Sequence, residues 1–557
     1  MASIADRQLH QSQRRGASVS TVAFALLAAA SITAGVYLRA TQLSTQILLD
    51  DEWHAIHKLL HSDVKGIVTS FGVADYSIPL TLYYRFLALH GGLSEWQMHV
   101  PMLLAGITLL VAGPWLLRRD APPAALAAWV ALLAISPLLV YLSRTARPYA
   151  LTCLLAFIAV VAFRNAWSGR SHAKAWGGTY AACTVLAGWL HLVTLPFTLL
   201  PFAYYAVAAF RPRRRESDRN RAQALHRLVY LGAATAIPLA VVLVPPFAAS
   251  AAQLALKAGA HGVTIDSMYR TTLMLFGIAS PGLLAACVTL GAIGAYRHAR
   301  RDASFVRYIA FLCAGSAVAI AAARPQWIQH PLVYARYLLP ALPFALLFVA
   351  EGAVVLVGWL RPAGLAPAAL ALGAVLLYEA GPIPAYLYRP NQFMGHARFQ
   401  FDYDPAHNPY VQEIPRDPMP AFYRSLAQQP PASLTLIEAP WRLESNFIPF
   451  PWYQQIHRQY VRIGLVTPVC GVRDFGEYPA TGTGLDFRYF VHLSEILAGR
   501  TYGADYLVMH LTPWKTPPDA AVEWPDVAGC LPAIAAKLGA PVYRDDSIVV
   551  FDLRASR

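Results

Sequence analysis

Long uncharged apolar runs recur along this chain, and short charge-bearing loops separate them. The runs 19–38, 98–117, 122–142, 150–166, 175–211, 226–248, 270–294, 306–323, 338–359 and 366–383 carry almost no Asp, Glu, Lys or Arg. Most are near the length a helix needs to cross about 30 Å of hydrocarbon. With 175–211 read as a helical pair, they total about eleven spans. Lipid-facing backbone must satisfy its own hydrogen bonds, so such a chain is restricted to helices over this stretch. Composition agrees. Of 557 residues, 56% are hydrophobic and 14% charged, against roughly a quarter charged in a soluble domain. The mean hydropathy is +0.41. The expected fold class is a polytopic α-helical membrane protein.

The formal charge of +14 is concentrated in loops such as RPRRRESDRNR (211–221) and RHARR (297–301). With Arg14, Arg15, Arg118, Arg119, Arg164, Arg170, Lys174 and Arg361 these fall in every second loop, all on one side of the membrane. That is the positive-inside pattern, with the amino terminus cytoplasmic. It accounts for the charge without a nucleic-acid partner. A cleaved signal peptide is the rival reading of 19–38.

From about residue 384 the composition shifts to Pro, Tyr, Asn and charge. SLTLIEA (433–439), DYLVMHL (505–511) and PVYRDDSIVVFDL (541–553) read as strands, the last as a hairpin, and 418–429 and 529–538 read as helices. The expected domains are therefore a membrane domain over 1–383 and an α/β domain over 384–557 outside the cytosol. Cys153, Cys183, Cys287 and Cys313 lie in apolar segments. Cys470 and Cys530 lie in the tail, where an oxidising compartment lets them pair.

The unexplained polar residues gather on the expected outer side. The first outer loop, 39–97, holds ILLDDEWHAIHK (47–58), with Asp50, Asp51 and Glu52 adjacent, then His54, His57, Lys58 and Asp75. Carboxylates next to a membrane are costly unless they sit in water and act there. In 75–97, Leu80, Tyr84 and Leu87 recur at helical spacing, as in a helix lying in the interface. The turn SRTARPY (143–149) gives Arg144 and Arg147, and the loop 324–340 gives Arg324, Tyr334, Arg336 and Tyr337. A carboxylate can take a proton from an acceptor hydroxyl. Arginine can hold a phosphate bidentately as charge develops on it. A bilayer-anchored phosphate donor would present its headgroup at this height. Asp50, His54, His57 and His61, spaced 4, 3 and 4 apart, share one helical face, and Asp and His suit a divalent metal. A polar interfacial face is the other reading. His191 reads as a lone packing histidine near a span end.

Four segments, in order, resemble the bacterial GT-C glycosyltransferases, the group holding protein O-mannosyltransferases, aminoarabinose lipid A transferases and RgtA–D-like enzymes. They are DDEWH (50–54), IPLTLYYRFLALHGGLSEWQMHVPMLLAG (78–106), SPLLVYLSRTARPYAL (136–151) and ARYLLPALP (335–343). The resemblance covers roughly 20–345 and implies a fold of this class with the active site on the outer face of the bacterial cytoplasmic membrane. It implies a polyprenyl-phosphate sugar donor and a glycan, lipid or protein acceptor. The family's acid pair falls on Asp51–Glu52, which makes Asp51 the expected general base. Asp50 is an extra acid, so Asp50 or Glu52 could take that role. The family's paired prolines are absent from ADYSIPL, where Asp75 stands. Arg147 matches the AR-x-YA turn and Arg336 the RY-x-x-P stretch, and both are implied donor-phosphate ligands. Arg144 and Tyr337 are further candidates there. Asp75, His54, Lys58 and Tyr84 are candidates for the acceptor. Some members use a divalent metal, for which Asp50, His54 and His57 are the candidates. The alternative function is a lipid or lipid-linked-sugar flippase using intramembrane acids such as Glu351. A third reading is a glycan-binding scaffold.

Overall fold

The computed structural model describes residues 4–48, 52–72, 76–169, 172–210, 218–259, 262–278, 280–358, 365–381, 383–384, 419–441, 450–471, 484–513 and 524–554. Asp50, Asp51 and Asp75 lie outside them.

The chain is a multi-pass membrane protein. Among the described residues, six stretches are long and apolar enough to cross a membrane: Thr21–Ala40, Glu95–Leu117, Tyr149–Trp167, Ala222–Ala249, Pro281–Ala323 and Leu339–Val357. They belong to α1 (Ile4–Ala40), α5 (Glu95–Leu117), α8 (Tyr149–Trp167), α11 (Asp218–Ala249), α14 (Pro281–Ala323) and α16 (Leu342–Val357) with the turn before it. The other expected spans are shorter here. The segment 122–142 is two helices, α6 (Pro123–Ile135) and α7 (Pro137–Leu142). Pro137 has no N–H to continue α6, and its fixed φ suits the first turn of α7. The pair in 175–211 is α9 (Ala173–Leu190) and α10 (Leu195–Phe210), joined by a single turn at Leu192–Thr194. Helix α17 (Leu365–Ala380) covers 366–383 in part.

The basic stretch RHARR, expected as a loop between two spans, is helical. The break falls one residue later at Asp302 (φ −147°, ψ 82°) inside α14. Its Oδ1 accepts from Phe305 N at 2.9 Å, as a helix-capping aspartate does, and so starts the second half of α14. Asp302 also binds Arg164 of α8, which reaches Asp120 at 2.7 Å. Beside it, Glu351 of α16 pairs with His298 at 2.7 Å and with Arg301. Burying these charges requires such partners. Fifteen residues of helix, about 22 Å, separate Arg164 from Tyr149 at the start of α8.

Around the first outer loop lie α2 (Trp53–Leu60), α3 (Val64–Thr69) and α4 (Ile78–His90). Helix α4 is the expected 75–97 helix, with Leu80 and Tyr84 on its buried side. Ser94 and Gln97 form a capping box that starts α5.

The tail is a six-stranded sheet in the order β3-β2-β1-β4-β6-β5. Its strands are β1 (Thr435–Ala439), β2 (Tyr460–Leu465), β3 (Phe490–His492), β4 (Tyr506–His510), β5 (Tyr543–Arg544) and β6 (Ile548–Asp552). The first four are parallel, and β5–β6 is the hairpin read from 541–553. The expected tail helices appear as Ala421–Leu426 and Val527–Leu538. Strands β2 and β3 went unread. Alternation assigns each strand's residues to two faces. Ile437, Met509 and Val549 pack with Cys470 and Cys530, which form a disulfide. Leu436, Val508 and Val550 share a core with Ile47, Trp53, Ile56, Leu59 and Tyr84 of the 39–97 segment. The catalytic-loop candidate and the tail are thus one packed unit.

Candidate functional site

Glu52 lies immediately before α2 and is fully buried. A carboxylate so placed needs donors, and it has them on two other elements. His99, in α5, places Nε2 2.8 Å from Oε1, and the Ala146 N–H donates to the same oxygen. His99 is itself fully buried. Ala146 belongs to the SRTARPY turn. The acidic loop is therefore bonded directly to the arginine turn.

That turn is tight. Arg147 N donates to Thr145 O at 2.7 Å, and the Thr145 hydroxyl to Tyr141 O at 2.9 Å. Its two arginines face different tasks. The Arg144 guanidinium donates to the carbonyls of Arg39 and Thr41 at 3.0 and 2.6 Å, and to Gln46 Oε1 at 3.2 Å. It closes the end of α1, whose last carbonyls have no partner within the helix. Arg144, a candidate for the donor phosphate, thus has its guanidinium on two carbonyls and the Gln46 side chain. The Arg39 side chain does the same for Leu133 and Ala134 of α6, at 2.9 and 3.1 Å.

Arg147 and Arg336 instead meet around His191. Helix α15 (Pro331–Tyr337) supplies Arg336 and Tyr337, and Tyr149 opens α8. The Arg336 guanidinium carbon lies 5.0 Å from the Tyr149 ring centre and 5.9 Å from that of Tyr337. The His191 ring is 5.2 Å from Tyr149 and 5.7 Å from Tyr337. In the turn after α9, burial first, and then Arg147 and Arg336, pull the His191 pKa down to about 3. The three side chains thus share one electrostatic neighbourhood. His191 was missed as a site residue. The available signal was its position at a span end on the same side as ARPY and ARY. His99 was hidden inside an apolar run.

The other candidates disperse. Lys58 Nζ donates to Ser70 Oγ at 2.7 Å. Tyr84 is buried and donates to Met98 O at 3.2 Å, joining α4 to α5. His54 is half-buried on α2. The His57 ring packs against His61 with centres 4.6 Å apart. Among the described residues no three His, Cys, Asp or Glu side chains are grouped to hold a metal ion. Asp50, the remaining member of that set, lies outside them, as do Asp51 and Asp75.

The tail fastens the loop from above. Trp53 sits among Trp441, Tyr489 and Phe490, with ring centres 6.4, 6.1 and 6.3 Å away. Gln454 accepts from Ile47 N at 3.1 Å and donates to Thr45 O. At the loop's far end Leu93 N donates to Asp486 O at 2.8 Å and Arg488 N to Leu93 O at 2.9 Å.

No protein-family model and no curated protein matches this sequence. Among solved structures, the chain is similar to ArnT from Cupriavidus metallidurans bound to undecaprenyl phosphate. That match has 14% identity and a TM-score of 0.45, over 96% of this chain and 98% of that one. Arabinofuranosyltransferase AftD from Mycobacteria matches at 14% identity and a TM-score of 0.42, over 95% of this chain and 40% of that one. The archaeal oligosaccharyltransferase AglB from Archaeoglobus fulgidus, in complex with an inhibitory peptide and a dolichol-phosphate, matches at 13% and 0.39, over 88% and 69%. At these identities and TM-scores the likeness assigns no activity to this chain.

Proposed function

We propose that this chain is a GT-C-type membrane glycosyltransferase that moves a sugar from a polyprenyl-phosphate donor to an acceptor hydroxyl on a cell-envelope glycan, lipid or protein. The observation that carries the reading is the bond between Glu52 and the Ala146 N–H. It holds the acidic loop against the turn that presents Arg147, next to Arg336. Acid and arginine, far apart in sequence, come within one site. Glu52 is then a positioning residue, and the base is sought at Asp51, with Asp50 second.

In the proposed step Asp51 takes the acceptor's proton. The acceptor oxygen bonds to the anomeric carbon, and the bond from that carbon to the phosphate oxygen breaks. The electron pair stays on the phosphate, which leaves as polyprenyl phosphate with one more negative charge. Arg147 and Arg336 stabilise that charge where it develops. A single displacement inverts the anomeric centre. An apolar crevice of about 260 Å³, lined by Ala131, Ile135, Leu283, Leu346 and Leu377 and reaching Ser136 and Pro137 at the start of α7, offers the prenyl chain a wall. The Cys470–Cys530 disulfide supports a tail in an oxidising compartment. A flippase is less well supported, because Glu351 is held by His298 and Arg301.

The test is transfer from a purified polyprenyl-phosphate sugar by wild type and by Asp51→Asn. The expected result is release of polyprenyl phosphate by wild type and a loss of roughly 100-fold or more in the variant, as for removal of a general base. Full activity in folded Asp51→Asn would move the base to Asp50. Movement of labelled lipid across vesicles with no covalent transfer would replace the reading altogether.

A further inference from the structure

The cluster around His191 contains a group that two phosphate-binding arginines do not require. His191 follows α9 with an extended backbone (φ −162°, ψ 115°), so its ring leaves the helix face. It is 7% exposed. Tyr149 and Tyr337 each lie against both His191 and Arg336, on separate elements, and hold the imidazole beside the guanidinium. Among the described residues, the charged groups acting on His191 are Arg147 and Arg336, both positive, and the rings packed against it include the phenols of Tyr149 and Tyr337. Burial and these two cations favour the neutral imidazole. An anion lodged between the guanidiniums offsets their field and favours the imidazolium.

We propose that His191 is a third anion-binding side chain of this site and takes up a proton from solvent when a lipid-linked phosphate enters beside Arg147 and Arg336. This rests on the reading that the site receives a polyprenyl phosphate. Before a lipid enters, the cluster then holds the two arginine cations instead of three cations. The loaded site gains a third donor only when there is charge to meet it. The leaving polyprenyl phosphate carries one more negative charge than the diester donor, so His191 binds the product side of the step more strongly.

Calorimetry on the full-length protein in detergent, titrated with undecaprenyl phosphate at pH 7 in buffers of different ionisation heat, counts the protons exchanged. A phosphate monoester has a second pKa of roughly 6, and a basic site alone would strip its proton and release it. Wild type is expected to show net uptake, exceeding that of His191→Gln by up to one proton per lipid. Its affinity is expected to fall more steeply than the variant's from pH 6 to pH 8. Equal proton counts in wild type, His191→Gln and His191→Asn, with binding retained, would overturn the role of His191 and leave the arginine site standing. Net release by wild type overturns it even where the variants fail to fold. No binding by wild type would overturn the site reading and this inference together.

Discussion

Glu52 shows how a residue legible as catalytic from sequence can acquire another task in the fold. Three adjacent acids mark the loop, but the described one of them is buried between His99 and the Ala146 N–H. A side chain spent on two donors inside the protein is poorly placed to exchange protons with an acceptor. Removing it strands both donors, at a cost of about 2–5 kcal/mol. Glu52→Ala should therefore lower the thermal midpoint in detergent by several degrees, and Glu52→Gln, which keeps an acceptor oxygen, by less. An unchanged midpoint in Glu52→Ala would show that the carboxylate does not hold the loop. The two turn arginines diverge in the same way. One residue type at two neighbouring positions gives Arg144, which closes α1, and Arg147, which faces His191. Sequence alone treats the pair alike, because the difference lies in which chain ends surround each guanidinium.

The spans were legible as elements because apolar length is a local property. Their ends were less so. Pro137 and Asp302 punctuate 122–142 and the RHARR stretch by backbone chemistry that a hydropathy pattern averages away. Strands β1, β4 and β6 stood out as runs of Leu, Ile and Val. Strands β2 (YVRIGL) and β3 (FVH) were hidden by a central Arg–Gly and by brevity. Helix pairing was not legible, since two glycines let α14 and α16 approach closely. A Cβ on Gly294 would collide with the Phe348 carbonyl, and one on Gly352 with the Leu290 carbonyl. Small residues let membrane helices approach in this way. Gly352→Ala and Gly294→Ala should each cost about 1–3 kcal/mol by forcing α14 and α16 apart. The double variant should cost less than the sum, because both methyls are relieved by one separation. Additive costs, measured by unfolding in detergent, would place the two glycines in independent contacts.

At the scale of the molecule, charge is sorted to the two ends of the bundle. One end holds two ion-pair groups, Arg164 with Asp120 and Asp302, and Glu351 with His298 and Arg301. The other gathers Arg147, Arg336 and His191 under the acidic loop, and the tail sheet packs on that loop through Trp53 and Gln454. The arrangement of arginines around one loop was readable from sequence because topology placed them on one side. That the tail would share a core with the loop was not, because the contacts join residues some 400 positions apart. The central claim is that the Arg147–Arg336 end grips a lipid-borne phosphate. It is tested most directly by titrating the full-length protein with undecaprenyl phosphate and with the neutral polyprenol. The account predicts binding of the phosphate well above the polyprenol. Arg147→Ala and Arg336→Ala should each weaken it about tenfold or more, the loss of one charge-assisted hydrogen bond, with Arg270→Ala, whose side chain pairs with Asp266, unchanged. Equal affinity for the two lipids, or undiminished phosphate binding in folded Arg147→Ala and Arg336→Ala, would contradict it.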